Sequence, residues 1–300
     1  MEIKRAQRQA QALKIGLVGP SGSGKTYSGL RIARGLVGAE GKILLVDTEH
    51  GSGSLYADES DCAGEYDVIE LDSYSPESCI EAIKTAEKEG YHAVVVDSLS
   101  HFWMGQDGAL EMVDNAARRS KSGNNFTAWR DVTPLHNKMI DTIVGARLHI
   151  IATMRAKTEW VLETNDRGKQ VPRKIGMAPI QRNGMEYEFT VVGDLDTDHN
   201  LVITKSRCPR VDNKVYNKPG EDFSGELLAW MSGAQPAPEK PSASKVGVWK
   251  ELVQAHGQDT MVAAMKSRGY TNLMEVSEDV LRQIDADLRE PEPVDDNVDF

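Results

Sequence analysis

Gly19-Pro20-Ser21-Gly22-Ser23-Gly24-Lys25-Thr26 satisfies the pattern G-x-x-x-x-G-K-[ST] without a mismatch. An apolar run, Leu13 to Val18, precedes it, and a helical pattern, Tyr27 to Val37, follows. Strand, glycine-rich loop and helix in that order make a phosphate cradle. The glycines let backbone N–H groups converge on an anion, and the helix N-terminus adds partial positive charge. In such a loop Lys25 reaches the β- and γ-phosphates, and the Thr26 hydroxyl holds Mg²⁺. The plain alternative is a glycine-rich turn before an ordinary helix, which the full motif in its strand–loop–helix setting disfavours. Residues Gly19 to Thr26, with Tyr27 opening the helix, are therefore the candidate binding residues for a nucleoside triphosphate.

Outward from this loop the chain alternates. Lys42–Asp47, Tyr91–Asp97 and Leu148–Thr153 are continuous apolar runs, as expected of parallel strands buried on both faces. Tyr66–Leu71 reads as a short strand, and Pro76–Lys88 as a helix with Ser75 as N-cap. Residues 106–121 and 127–146 read as helices around the polar break Ser120–Asn125. Alternation of this kind predicts βαβ units and an α/β fold, a mostly parallel central sheet flanked by helices. After Thr153 the pattern changes. Thr158–Thr164 and Gln170–Ile175 predict a hairpin around Asn165-Asp166-Arg167-Gly168, Tyr187–Leu195 and Asn200–Lys205 two further strands, and Phe223–Met231 a closing helix.

The expected organisation is a polar helical extension (1–12), a core (13–232), an Ala/Pro/Ser-rich linker (233–245), a small helical appendage (246–289) and a disordered tail (290–300). The tail carries five acids and no base. A net charge of −11 excludes coating of nucleic acid by bulk charge, so any polyanion site must be a local basic patch. Cys62, Cys79 and Cys208 are scattered without a C-x-x-C, which argues against a zinc site or a disulfide framework and for reduced thiols. No apolar run approaches the ~18–20 residues of a membrane span, and the N-terminus is too polar for a secretory signal. A cytoplasmic protein that does not enter the membrane is expected.

Hydrolysis needs a carboxylate on the metal side and a group to act on the attacking water. Asp97 ends an apolar strand and suits Mg²⁺. Glu49, in Asp47-Thr48-Glu49-His50 just past the second strand, suits the water, since strands beside the loop strand bring their C-terminal ends to the phosphates. A solvated loop carboxylate is the alternative.

These motifs, with Leu55-Tyr56-Ala57 and Val95-Val96-Asp97-Ser98, resemble the core of RecA-type recombinases. More closely, residues 13–231 resemble small phage-encoded P-loop ATPases that keep only the RecA core, some of them grouped with phage single-strand annealing proteins. Glu49-His50-Gly51, Ser98-Leu99-Ser100-His101, Trp129-Arg130, Met154-Arg155 with Lys157-Thr158-Glu159, and Gly184-Met185-Glu186-Tyr187 belong to the likeness. The resemblance implies that Glu49 is the catalytic glutamate and that Tyr56 stacks on adenine. It also implies that Thr153 stands at the γ-phosphate sensor position, where RecA has an amide. Gly53 stands where the family has an Asp that helps to read adenine. Lys205 and Arg207 would reach the γ-phosphate of a neighbouring copy, stabilising charge in trans. Their plain reading is two exposed bases after a strand.

The same resemblance implies single-stranded DNA binding on the stretches 99–126 and 155–184. The later one carries Arg155, Lys157, Arg167, Lys169, Arg173, Lys174 and Arg182 against three acids between 155 and 182, a local excess of four positive charges. Trp160 offers a stacking face. The earlier one offers Arg118, Arg119 and Lys121, with Phe102 and Trp103 near its start, which read better as core. A solvated hairpin would also carry such charges. The acidic tail ending in Phe300 resembles the partner-docking tips of single-strand-binding proteins, although a solubilising tail explains it as well. The expected function is an ATP-dependent, single-stranded-DNA-binding recombination or annealing protein of phage type, working in a bacterial host cell as a homo-oligomeric filament or ring with ATP between subunits. A hexameric helicase-type motor and a regulatory ATPase switch docked to a protein partner are the alternatives. The helicase type is disfavoured because no collar domain precedes residue 13.

Overall fold

The computed structural model describes residues 5, 9–59, 61–119, 124–164, 170–232, 235–236, 243–273 and 276–289. They divide into two compact units, Met1–Gln235 and Pro236–Phe300, a division that falls within the Ala/Pro/Ser-rich stretch 233–245.

In the first unit the strands are β1 (Lys14–Gly19), β2 (Ile43–Asp47), β3 (Asp67–Glu70), β4 (Ala93–Asp97), β5 (His149–Thr164), β6 (Gln170–Pro179), β7 (Val191–Leu195), β8 (Asn200–Ser206) and β9 (Val215–Asn217). The helices are α1 (Lys25–Val37), α2 (Pro76–Lys88), α3 (His101–Met104), α4 (Ala109–Arg119), α5 (Asn125–Gly145) and α6 (Glu221–Met231). The sheet order is β9-β8-β7-β1-β5-β4-β2-β3, with β6 paired to the outer half of β5. From β7 to β3 every pairing is parallel, while β8 and β9 add antiparallel strands at one edge. The chain is thus the mostly parallel α/β sheet flanked by helices that the alternation predicts.

Each inner strand feeds two cores, because successive side chains leave opposite faces. Ile43, Leu45, Val95 and Ile151 pack with Leu30, Ile32 and Ala33 of α1 and with Phe223 and Leu227 of α6. Leu44, Val46, Val94, Val96, Ile150 and Ala152 pack on the other face with Cys79 and Ile83 of α2 and Met139 and Ile143 of α5. This two-sided burial is the physical reason for the unbroken apolar runs. Helix boundaries follow local chemistry. Ser75 accepts from the Ser78 N–H at 3.2 Å and Pro76 takes the first helical position of α2. Gly38, at φ 72°, ends α1.

Four local expectations are corrected. The strand expected to stop at Thr153 runs on to Thr164, because β6 takes over its backbone hydrogen bonds where β1 and β4 end. Residues 185–187 form a short 3₁₀ turn, so the strand expected from Tyr187 starts at Val191. Val215–Asn217, too short to show a period, is an added edge strand. Gln9–Ala10 is extended where a helix was expected, since no apolar stripe holds a helix there; residues 1–4 and 6–8 lie outside the described residues.

In the second unit α7 (Ala243–His256), α8 (Gln258–Ser267) and α9 (Glu278–Arg289) enclose their own core of Val248, Leu252, Met261, Met265, Val276, Leu281 and Ile284. His256 and Asp285 pair at 2.7 Å across it. The tail 290–300 lies outside the described residues. Among the described residues no helix is long and apolar enough to cross a membrane.

At the end of the sheet away from the phosphate loop, Lys14 is buried, with Nζ on the carbonyls of Ala146 and Leu148, both at 2.8 Å. Beside it His149 Nδ1 accepts the Leu13 N–H at 3.1 Å. Burial first, then the charges of Lys14 and His92, push the His149 ring from its usual range down to about 4. The folded ring is neutral where the unfolded ring takes up a proton, so its contribution is intact above pH 6.5 and is lost as pH falls towards 4. Urea unfolding of the wild type should lose about 3 kcal/mol more over that interval than His149→Asn does. Equal pH dependence in the two would remove His149 as the cause.

Candidate active site

The parallel strands place Gly19, Asp47, Asp97 and Thr153 at one end of the sheet. The phosphate loop wraps the N-terminus of α1 there. Gly22 and Gly24 both sit at φ 80°, in the left-handed region that a side chain resists. Ser23 is buried, and its hydroxyl donates to Pro20 O at 2.9 Å, closing the loop on itself. His199, from the β7–β8 turn, places Nδ1 3.1 Å from Ser23 O and braces the loop from outside. Lys25 lies back along the loop with Nζ on Pro20 O at 2.7 Å. Burial lowers its proton affinity, against the opposing charges of Asp97 and Glu49.

Asp97 is 2 % exposed. Thr26 Oγ1 donates to its Oδ2 at 2.5 Å, and Thr153 Oγ1 donates to its Oδ1. Burial pushes the carboxyl upward, and the two hydroxyls pull it back. Among the described residues no group of three or more His, Cys, Asp or Glu side chains could hold a metal. The hydroxyl of Thr26 and the carboxylate of Asp97 fit a hard cation that takes its remaining oxygens from phosphate and water, which is the habit of Mg²⁺. Thr153, expected at the sensor position, lies at the same end of the sheet. It is fully buried and its hydroxyl is committed to Asp97.

Glu49 reaches the cleft by an unexpected route. Its strand β2 is not beside β1; β5 and β4 lie between them. The reach is built by Asp47, buried at the end of β2, which accepts the Glu49 N–H at 2.5 Å and the Gly53 N–H at 3.0 Å. Thr48 ties the same turn to the neighbouring strand, its N–H donating to Asp97 O at 2.8 Å. At Gly53 a Cβ would sit 2.2 Å from Leu45 Cδ2, so a side chain there would require Leu45 to shift. Arg155, expected in the DNA-binding stretch, instead points into this cleft and pairs with Glu49 at 2.8 Å.

Tyr56 and Tyr27 meet edge to face at 5.8 Å on the outer side, with the Arg31 guanidinium 5.8 Å from the Tyr27 ring centre. The loop, Glu49, Asp97, Arg155, the two tyrosines, Arg31, His199 and Lys218 line one cleft of about 1010 Å³. That is room for a nucleotide.

The remaining expected residues lie elsewhere. Lys205 Nζ donates to Phe189 O, and Arg207 Nη2 to Tyr187 O at 2.9 Å, both away from this cleft. Arg118 and Arg119 are exposed at the end of α4, and Lys157 is exposed on β5. Arg182 donates to Asn137 Oδ1 at 3.2 Å. Lys121, Arg167 and Lys169, and the side chains of Trp160, Arg173 and Lys174, lie outside the described residues. Phe102 is core, as expected, and Trp103 stacks on Trp129 at 5.5 Å.

Sequence reasoning missed Asp47, although the signal that picked Asp97, an acid ending an apolar strand, applied to it equally. His199 and Lys218 carry no sequence signal; the β7–β8 turn and the loop after β9 bring them in. No curated protein matches the chain significantly. A family model described as AAA domain matches residues 11–217, from just before β1 through the end of β9. That span covers more than half of the chain and every residue of the cleft except Lys218, so the protein belongs to the AAA-domain family of P-loop ATPases.

Proposed function

We propose that the protein hydrolyses ATP with Mg²⁺ in this cleft, binds single-stranded DNA and self-associates with ATP between copies, as a recombination or annealing ATPase of phage type. The observation that carries the reading is the meeting of Lys25, Thr26, Asp97 and Glu49 in one cleft from three separate stretches of chain. Thr26 and Asp97 would hold Mg²⁺, which when bound offsets charge on the β- and γ-phosphate oxygens. The loop N–H groups and Lys25 bind and orient the phosphates. Glu49 takes the proton of the water whose oxygen bonds to γ-phosphorus, and the bond to the β-bridging oxygen breaks to release ADP. Tyr56 and Tyr27 offer ring faces for the base.

Support for single-stranded DNA comes from the excess of bases between 155 and 182 on an otherwise acidic chain. Support for assembly comes from Arg207, which is exposed and outside the cleft of its own chain. A replication or single-strand-binding partner taken up through the acidic tail is part of the same reading.

Lys25→Ala should abolish ATP binding measured by calorimetry. Glu49→Gln should retain binding while turnover falls by roughly a hundredfold or more; normal hydrolysis by that variant would remove Glu49 from the reaction. Single-stranded DNA should raise the ATPase rate of the wild type, and Arg207→Ala should lower the rate of assembled protein while leaving ATP affinity unchanged. Turnover indifferent to DNA would favour the protein-docked switch, and directional unwinding the helicase-type motor.

A further inference from the structure

Glu49 is not free in its cleft. Its Oε1 accepts two N–H bonds from Arg155, from Nη2 at 2.8 Å and from Nε at 3.2 Å. The side chains are 40 % and 30 % exposed, so the pair faces the cleft and is open to a ligand. Arg155 stands opposite Gly19 in the β1–β5 register, beside the first residue of the phosphate loop. Lys25 feels the charges of both partners, so all three groups share one electrostatic neighbourhood.

The backbone of Arg155 is fixed on both sides. Its N–H donates to Ser100 Oγ at 2.9 Å, and its carbonyl accepts the Ile180 N–H at 2.7 Å. That second bond closes the root of the β5–β6 hairpin. Only the side chain is positioned to exchange partners. A guanidinium fork fits a carboxylate or a phosphate equally well in geometry, and a terminal phosphate carries more charge than a carboxylate. The hydroxyl of Thr153 is spent on Asp97, which leaves Arg155 as the cleft's donor on β5.

We infer that Arg155 is a positioning residue that holds Glu49 while no γ-phosphate is present and exchanges it for the γ-phosphate when ATP binds. The exchange frees Glu49 for water. A ligand shifts such an equilibrium only through contacts that differ between the two states. ADP has no γ-phosphate and leaves the ion pair intact. The inference rests on the ATPase reading above.

The test is equilibrium binding of Mg²⁺ with a non-hydrolysable ATP analogue, or with ADP, to the full chain. The wild type, Arg155→Gln, Arg155→Lys, Glu49→Gln and the Arg155→Gln/Glu49→Gln double variant are compared. Arg155→Gln should lose about tenfold or more in affinity for the analogue and less than about twofold for ADP. Retained ADP binding reports a folded site, and Arg155→Lys should recover part of the loss. Glu49→Gln should bind the analogue more tightly than wild type, and that gain should vanish when Arg155 is also replaced. Equal losses for analogue and ADP, or the same Glu49→Gln gain in both backgrounds, would overturn the inference. A wild type that binds neither nucleotide removes the ATPase reading and this inference with it. A wild type that binds both, with Arg155→Gln unchanged, removes this inference alone.

Discussion

The buried carboxylate of Asp97 is the point on which the cleft depends. Placing a carboxylate at 2 % exposure is costly unless its oxygens are satisfied. Here each oxygen has its own hydroxyl donor, Thr26 from the start of α1 and Thr153 from the end of β5. The three residues come from β4, from the helix after β1 and from the strand between them. One desolvated acid therefore aligns three elements, and the phosphate loop is set relative to the sheet by the same bonds that prepare the oxygens for a cation. Losing either hydroxyl would leave a buried acceptor unpaired, which is more disruptive than loss of an exposed contact.

The sheet order explains the rest of the arrangement. With β5 between β1 and β4, Asp97 is one strand removed from the loop, and Thr153 fills the gap. With β2 beyond β4, Glu49 has to cross that distance on a turn. Asp47 makes the turn rigid by accepting two of its N–H groups, and Thr48 fastens it to Asp97 O. Arg155 meets Glu49 from the opposite side. The cleft is thus closed by side chains from both flanks of Asp97, and its shape follows from strand order more than from loop length.

The phosphate loop, Asp97 and the parallel sheet were legible in the sequence because each is a local pattern: a glycine spacing, an acid ending an apolar run, a run with no polar interruption. Helix α2 was legible to the residue, since Ser75 and Pro76 mark its start chemically. Where the outcome depended on pairing, local pattern was silent. Thr153 looked like a strand end because apolar character stops there, yet β6 continues the hydrogen bonding. Arg155 looked like one more base of a charged stretch, yet the β1–β5 register turns it into the cleft. Gly53 looked like a departure from a family pattern, and the packing of Leu45 against it could not be read from the sequence. His199 and Lys218 entered by topology alone.

The position of Arg207 limits how it can take part in phosphate chemistry. Strand β8 runs antiparallel to β7, so its last residue, Ser206, lies opposite Val191, and Val191 lies opposite Ile15 near the start of β1. Arg207 continues past that level, its N–H donating to Thr190 O, while Thr190 itself donates to Lys14 O. The phosphate loop begins at the other end of β1. Lys14 and Gly19 are five strand steps apart, a distance of about 16 Å, well beyond the reach of an arginine side chain. Any contact between Arg207 and a γ-phosphate must therefore be made with the cleft of another copy. Donor and acceptor would then sit on different ends of the same sheet, so such an interface would be head-to-tail. A head-to-tail interface closes into a ring or continues as a filament according to its rotation alone.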